Sequence, residues 1–424
     1  SQEMRHGVRK RVAASANELA LSELKTRIAQ AKVLARGLGD LKGAAMKVGQ
    51  LLSIDASDVL PPEATEILSS LQGNAEPVPF SVMHAVLREE LGSERLAQLE
   101  GLDAEAAASA SIGQVHRARV GRYPVAVKIQ YPGVRESIDS DVKLLETLAN
   151  SWLSVTRSRI EVDEVFDEMR MLLHLEADYR QERAHLDAFG RLLAGDDRYA
   201  VPCSFPTLSS SRVLTMTWEE GTPLRDWIAA GPTMKERERL SRAVLDLYCS
   251  EFFDWGLVQT DPNHGNFLVR DDGRLVLLDF GATLRYDAAF RRDYVTLLRT
   301  IATRDAAATI QAGIDFQILD PREPDEAKAL FAAMLFSAME PFEAHSQPFV
   351  FRDDGYAERA SDITRRFTRS LKYSPPPRKV LFLHRKLGGI FHLLRRLDVR
   401  LDLAPYWQRM VEHDEPEPMG ALAS

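Results

Sequence analysis

Cysteine is scarce: Cys203 and Cys249 are the two found in 424 residues. Two thiols are too few for a disulfide framework or a cysteine-based zinc site, so both are expected to be packing residues in a reducing compartment. Long apolar runs are missing as well. No stretch approaches the roughly 18 to 20 uninterrupted apolar residues of a membrane-spanning helix, and the start has no apolar signal-peptide core. A soluble chain of cytoplasmic location is therefore expected. Positive charge is not in excess. The formal net charge of -8 supplies no global field for phosphate-rich polymers, which sets nucleic acid aside as a partner. The basic start, Arg5, Arg9, Lys10 and Arg11, is expected to be a solvated charge run, with peripheral contact to anionic membrane lipid as the second choice.

What is present is the make-up of a globular protein. With 45% hydrophobic and 27% charged residues, the chain can bury two or three packed units. Residues 12 to 104 read as helices, with Leu41, Ala45, Val48 and Leu52 at the three-to-four spacing that turns one face inward. From 106 to 130 the pattern shifts to short β-rich runs ending in Val125-Ala126-Val127-Lys128-Ile129, which predict paired strands. A helix is expected from about 161 to 193, then a strand over Val213–Trp218 that ends at a hinge near Gly221 and Pro223. Residues 224 to 258 are helical by pattern. Phe267-Leu268-Val269 and Leu275-Val276-Leu277-Leu278 flank the turn residues Asp271-Asp272-Gly273, which predicts a hairpin. Everything from about 287 to 412 again reads as helical, so the fold class is α+β.

The residues that carry chemistry bracket that hairpin. In Asp261-Pro262-Asn263-His264-Gly265-Asn266 an asparagine follows an aspartate by five positions, and Asp279-Phe280-Gly281 begins 18 residues after the same aspartate. This is the spacing of a kinase catalytic loop and metal motif. The chemistry needs one carboxylate to orient a nucleophile, and a carboxylate with an amide oxygen to hold magnesium against phosphates. Asp261 suits the first task, Asn266 and Asp279 the second. Asp-Phe-Gly alone is a common turn, and the upstream pair is what makes it specific.

Lys128, at the end of an apolar strand, is the candidate cation for the α- and β-phosphates, provided an acidic side chain fixes it. Glu176, Asp178 and Glu182 supply candidates on the following helix, where Asp178 and Glu182, four apart, are expected to share a face. The run Ala106–Gln114 lies 14 to 22 residues before Lys128, where a kinase carries its phosphate-covering turn. There, Ala110, Ser111, Gly113 and Gln114 are candidate nucleotide contacts, as is Trp218 at the hinge strand. Alanine and serine in place of most glycines restrict close backbone approach to phosphate. His116 and His264 have no partner at metal-ligand spacing and are expected to be structural or solvent-facing.

These residues resemble the UbiB/AarF family of atypical kinases, the ADCK group of animals, from about residue 36 to 290, more weakly near Arg385-Lys386-Leu387-Gly388-Gly389. The signatures occur in order: Lys47-Val48-Gly49-Gln50, the alanine-rich run ending Ser111-Ile112-Gly113-Gln114, Glu176-Ala177-Asp178, and Asp261, Asn266 and Asp279. The resemblance implies a bilobal protein-kinase-like fold: an N-terminal helical extension over 1–105, an N-lobe over 106–218 and a mostly helical C-lobe over 219–424. It implies that the extension lies across the place where protein kinases receive peptides. Lys47 would then contact Glu176 and Asp178, leaving Glu182 to pair with Lys128. Gln259-Thr260-Asp261-Pro262-Asn263-His264 departs from the usual His-Ala-Asp-Pro-His-Pro, and no Ala-Pro-Glu element follows Gly281.

ATP or ADP with Mg2+ is the implied cofactor, and ubiquinone or related prenyl-lipid metabolism the implied setting. Lipid or quinone precursors and lipid-biosynthesis proteins are the implied partners. Three activities fit: slow ATP hydrolysis, phosphoryl transfer to a small molecule or lipid, and nucleotide sensing with little catalysis.

Overall fold

The computed structural model describes residues 78–110, 112–156, 163–261, 263–373 and 378–412. The Lys47-Val48-Gly49-Gln50 segment, the basic start, Ser111 and Pro262 lie outside the described residues. Of the described chain, 78–93, 102–116 and 128–177 cluster into one compact unit, and 94–101, 117–127 and 178–412 into a second. The elements are those of an α+β, bilobal kinase-like fold, with a sheet early in the chain and a largely helical C-terminal region.

Helix α1 (Phe80–Leu96) precedes strands β1 (Ala106–Ala110), β2 (Gly113–Val120) and β3 (Tyr123–Gln130), which join β5 (Val213–Thr217) in a sheet ordered β1-β2-β3-β5. The alanine-rich run is therefore a strand and a tight turn. Ala110 pairs with Gly113 and Ser109 with Gln114. β3 buries Val125, Val127 and Ile129, as its apolar run predicts.

Helices α2 (Val134–Thr156), α3 (Asp163–Glu176) and α4 (Tyr179–Leu192) follow. The single helix expected over 161–193 is thus two. The break falls at Ala177-Asp178, where Asp178 adopts an extended backbone and its carboxylate accepts a hydrogen bond from Arg180 N as the N-cap of α4. A short acidic side chain satisfies an orphan amide best from outside the helix. Asp178 caps α4 from outside the helix, and Glu182 lies inside its first turn. In the first unit, His174 on α3 meets Asp139 on α2 at 2.9 Å, and Gln130 donates to the Ala177 carbonyl at 3.0 Å.

The second unit continues through β4 (Tyr199–Ala200), β6 (Thr222–Pro223), α5 (Leu224–Ala229) and α6 (Met234–Cys249). Thr233 and Glu236 form a capping box that starts α6. The helical stretch expected to 258 instead passes into a π-helix over Ser250–Trp255 and stops at Gly256, and Leu257–Gln259 is strand β7. Strands β8 (Phe267–Val269) and β9 (Leu275–Leu277) form the predicted hairpin, within a sheet ordered β4-β9-β8-β6, and β10 (Thr283–Arg285) pairs with β7. Cys249 is buried as expected. Cys203 is not a packing residue: it lies exposed in the extended segment before β5, held by its backbone amide to Thr217.

The C-terminal helices are α7 (Ala288–Ala302), α8 (Ala306–Asp315), α9 (Asp325–Met339), α10 (Asp354–Ser370), α11 (Arg378–Leu397) and α12 (Ala404–Val411). An unforeseen pair, β11 (Phe349–Val350) and β12 (Arg400–Leu401), joins two loops. Two-residue strands are too short to show alternation in sequence. Leu297, Ile301, Phe331, Leu335 and Phe367 build a core between α7, α9 and α10. Gly313 on α8 lets Phe331 approach so closely that a Cβ there would lie 2.4 Å from its ring. Gly313→Ala should therefore force Phe331 out of place and destabilise by about 1–3 kcal/mol, the usual cost of overpacking, as read from urea midpoints.

Candidate functional site

The catalytic-loop residues are positioned by two short ladders of the second unit. β7 pairs antiparallel with β10, Gln259 opposite Thr283, and Thr260 donates to the Ala282 carbonyl from both its amide (2.8 Å) and its hydroxyl (2.7 Å). This ties the residue before Asp261 to the residue after Asp279-Phe280-Gly281. The β8–β9 hairpin supplies the second tie. Phe267 pairs with Leu277, so Asn266 falls beside Leu278, whose amide donates to the Asn266 carbonyl at 3.0 Å. The hairpin thus converts a sequence separation of 13 residues between Asn266 and Asp279 into proximity.

Within the loop, Asp261 accepts from Asn263 N at 3.2 Å and from Asn266 Nδ2 at 3.1 Å, one bond on each carboxylate oxygen. Asp279 accepts from Gly281 N at 2.9 Å. These bonds fix the carboxylates in orientation before any ligand arrives. With its nitrogen turned to Asp261, Asn266 has its amide oxygen outside that bond. One carboxylate and one amide oxygen are hard donors of the kind magnesium takes when phosphate and water complete its shell, so the residues present fit that ion. Bound there, the ion would supply positive charge against phosphate oxygens.

Helix α4, which carries Glu182, is joined to the same motif. Phe189 packs on the Phe280 ring at 4.9 Å between centroids and meets Trp255 edge-on at 6.0 Å. His185 Nδ1 lies 3.3 Å from the Phe280 carbonyl. Sequence spacing gave no sign of His185 or Phe189, since neither stands in a motif. Burial holds the His185 pKa below its ordinary 6.5, the Phe280 carbonyl pulls partly back, and Arg285 adds to the depression.

Because the unfolded chain binds that proton more readily, the stability contributed by neutral His185 is complete above about pH 6.5. It declines as pH falls towards the depressed folded value. His185→Gln should therefore flatten the loss of stability between about pH 7.5 and pH 5, measured as the difference in urea midpoints from wild type.

The remaining candidates divide between the units. Lys128, buried at the end of β3, belongs to the first, as do Ala110, Gly113, Gln114 and Glu176. Glu182, Asp178, Trp218, Asp261, Asn266 and Asp279 belong to the second, which brings Asp261, Asn266 and Asp279 together around one hairpin. Gln114 is buried. With its amide turned to satisfy both partners it accepts from Val78 N at 2.9 Å and donates to Val78 O at 3.3 Å, so it holds the chain entering α1. His116 is likewise structural, buried with Nδ1 2.9 Å from the Asp103 carbonyl and its ring against Phe80.

Trp218 follows β5, donating its backbone amide to the Pro124 carbonyl at 2.9 Å, with Arg117 stacked 3.9 Å from its ring centre. A cavity of about 210 Å³ beside it is lined by Arg117, Pro124, Val125, Trp218 and Glu220 among others, and by neither Asp261 nor Asp279.

The ABC1 atypical kinase-like domain matches residues 70–312. The chain is 33% identical over 374 residues to the mitochondrial atypical kinase COQ8 of Saccharomyces cerevisiae, covering 87% of this chain and 74% of that protein. It is 32% identical over 399 residues to the mitochondrial atypical kinase COQ8B of Danio rerio, covering 93% of this chain and 62% of that protein. Among solved structures, Rv3197 of Mycobacterium tuberculosis, determined in complex with erythromycin, matches with a TM-score of 0.63 at 26% identity, over 93% of this chain and 98% of that one. The order of the motifs, the kinase-like fold and these matches agree: the chain belongs to the ABC1 family of atypical kinase-like proteins, the UbiB/AarF or ADCK type.

Proposed function

We propose that this chain binds magnesium with ATP or ADP and hydrolyses ATP slowly, using that cycle in ubiquinone or other prenyl-lipid metabolism. The observation that carries the proposal is the pairing of Asp261 with Asn266 by a 3.1 Å hydrogen bond, on a loop laced to both sides of Asp279. Asn266 and Asp279 are assigned to the metal, Asp261 to the attacking water, and Lys128 to the phosphates with Glu182 as its fixing carboxylate. Ala110, Ser111, Gly113, Gln114 and Trp218 are assigned to the nucleotide's surroundings, and Lys47, Gln50, Glu176 and Asp178 to regulation by the N-terminal extension.

Family membership supports a general kinase-like role, and the lipid setting rests on the family resemblance. The proposed partners are lipid or quinone precursors and lipid-biosynthesis proteins, met at the periphery of a membrane. Among the described residues no helix is long and apolar enough to cross a membrane.

A second activity is favoured by one feature. Both Asp261 oxygens accept hydrogen bonds, which aims the carboxylate as it would be aimed at a substrate hydroxyl. Phosphoryl transfer to a small molecule or lipid is therefore the alternative. Thermal shift with nucleotide, with and without magnesium, and phosphate release from wild type are the tests of the first proposal. Labelled phosphate appearing in an extract-derived metabolite supports the second. No magnesium-dependent nucleotide response in either assay would defeat both.

A further inference from the structure

The π-helix that leads into the catalytic loop is held by three cations from three C-terminal helices. Lys386 on α11 forms an ion pair with Glu251, and neither is exposed: 7% for Lys386, 0% for Glu251. Arg291 on α7 donates to the Phe253 carbonyl at 2.6 Å and reaches Asp254 O at 3.4 Å. Arg409 on α12 donates to Ser250 Oγ at 2.9 Å and to the Asp254 carboxylate. Such i to i+5 turns recur at functional sites because they re-aim the residues that follow.

Little slack separates this turn from the chemistry. Gly256 closes it in a left-handed conformation, with its carbonyl accepting from Tyr286 N at 2.8 Å. β7 then runs straight to Thr260 and Asp261, clamped to β10 along its three residues. Helix α11 meets the loop a second time: the His392 ring lies nearly parallel to His264, 6.1 Å between centroids. Stability does not call for a buried ion pair here, since apolar residues of equal volume serve as well or better. What a paired charge adds is a fixed separation and direction between the helix and the turn.

We propose that Lys386, through Glu251 and the π-helical turn, is a positioning residue for Asp261, so that the C-terminal helices set the geometry of the catalytic loop. The inference rests on the nucleotide-hydrolysis proposal for its kinetic consequence and on the geometry alone for its structural one. Lys386→Met should lower kcat for ATP hydrolysis by about 100-fold, the cost of misplacing a reacting group by an ångström, while KM for ATP changes by less than about threefold. Amide hydrogen exchange of 257–266 should quicken, with the α8 to α10 region unchanged.

Because a lone buried carboxylate can unfold the chain, the paired variant Glu251→Leu with Lys386→Met is the second arm. It should recover stability without recovering kcat. An unchanged kcat in folded Lys386→Met, or a double variant that regains turnover along with stability, overturns the proposal. If wild type shows no magnesium-nucleotide response, the hydrolysis proposal fails by itself and exchange decides the clamp. Faster exchange confined to 257–266 upholds it, and unchanged or chain-wide exchange overturns it.

Discussion

Asp279→Asn is expected to leave the fold intact and remove magnesium-dependent nucleotide binding. Asparagine is nearly isosteric, and its amide oxygen can still accept the 2.9 Å bond from Gly281 N that shapes the turn. What disappears is the negative charge assigned to the metal. Losing one preorganised electrostatic group of this kind costs about 100- to 1,000-fold in rate, or about 2.7–4 kcal/mol. The melting temperature without nucleotide should stay near that of wild type, the magnesium-dependent shift should vanish, and phosphate release should fall by that factor. A variant that hydrolyses ATP at the wild-type rate would remove Asp279 from the metal site.

Gly256→Val should have the largest effect on folding. Gly256 has φ 62, and a Cβ there would meet the Tyr286 carbonyl at 2.5 Å and Arg291 Nε at 3.0 Å. A β-branched residue therefore faces the left-handed penalty and a backbone obstruction at once. The loss should be about 3 kcal/mol or more, measured by chemical denaturation. Whatever folded protein remains should turn over poorly, because the Tyr286-to-Gly256 bond that starts the β7–β10 register is displaced. Wild-type stability in this variant would show that the turn relaxes freely.

The candidate residues of the loop are more legible in the sequence than the packing that supports them. Asp261, Asn266 and Asp279 announce themselves by spacing, and the Asp271-Asp272-Gly273 turn between two apolar triplets foretells the hairpin that brings them together. The break between α3 and α4 was less visible, because Asp178 in Glu176-Ala177-Asp178-Tyr179 is as compatible with a helix interior as with a cap until Arg180 N is seen to use its carboxylate. The π-helix over 250–255 has no periodic signature in six residues. Glu251 and Lys386 stand 135 positions apart, and nothing local to either predicts the other. The aromatic contact of Phe189 with Phe280 is hidden for the same reason, since packing partners far apart in sequence leave no mark on spacing.

In the proposed site, Asn266 and Asp279 hold a divalent ion against the phosphates of a nucleotide. Anomalous scattering from manganese, in crystals of the full chain grown with a non-hydrolysable ATP analogue, tests it most directly. The expected result is an ion bonded to the Asn266 amide oxygen, the Asp279 carboxylate and phosphate oxygens. Nucleotide bound with its ion away from both residues would contradict the account.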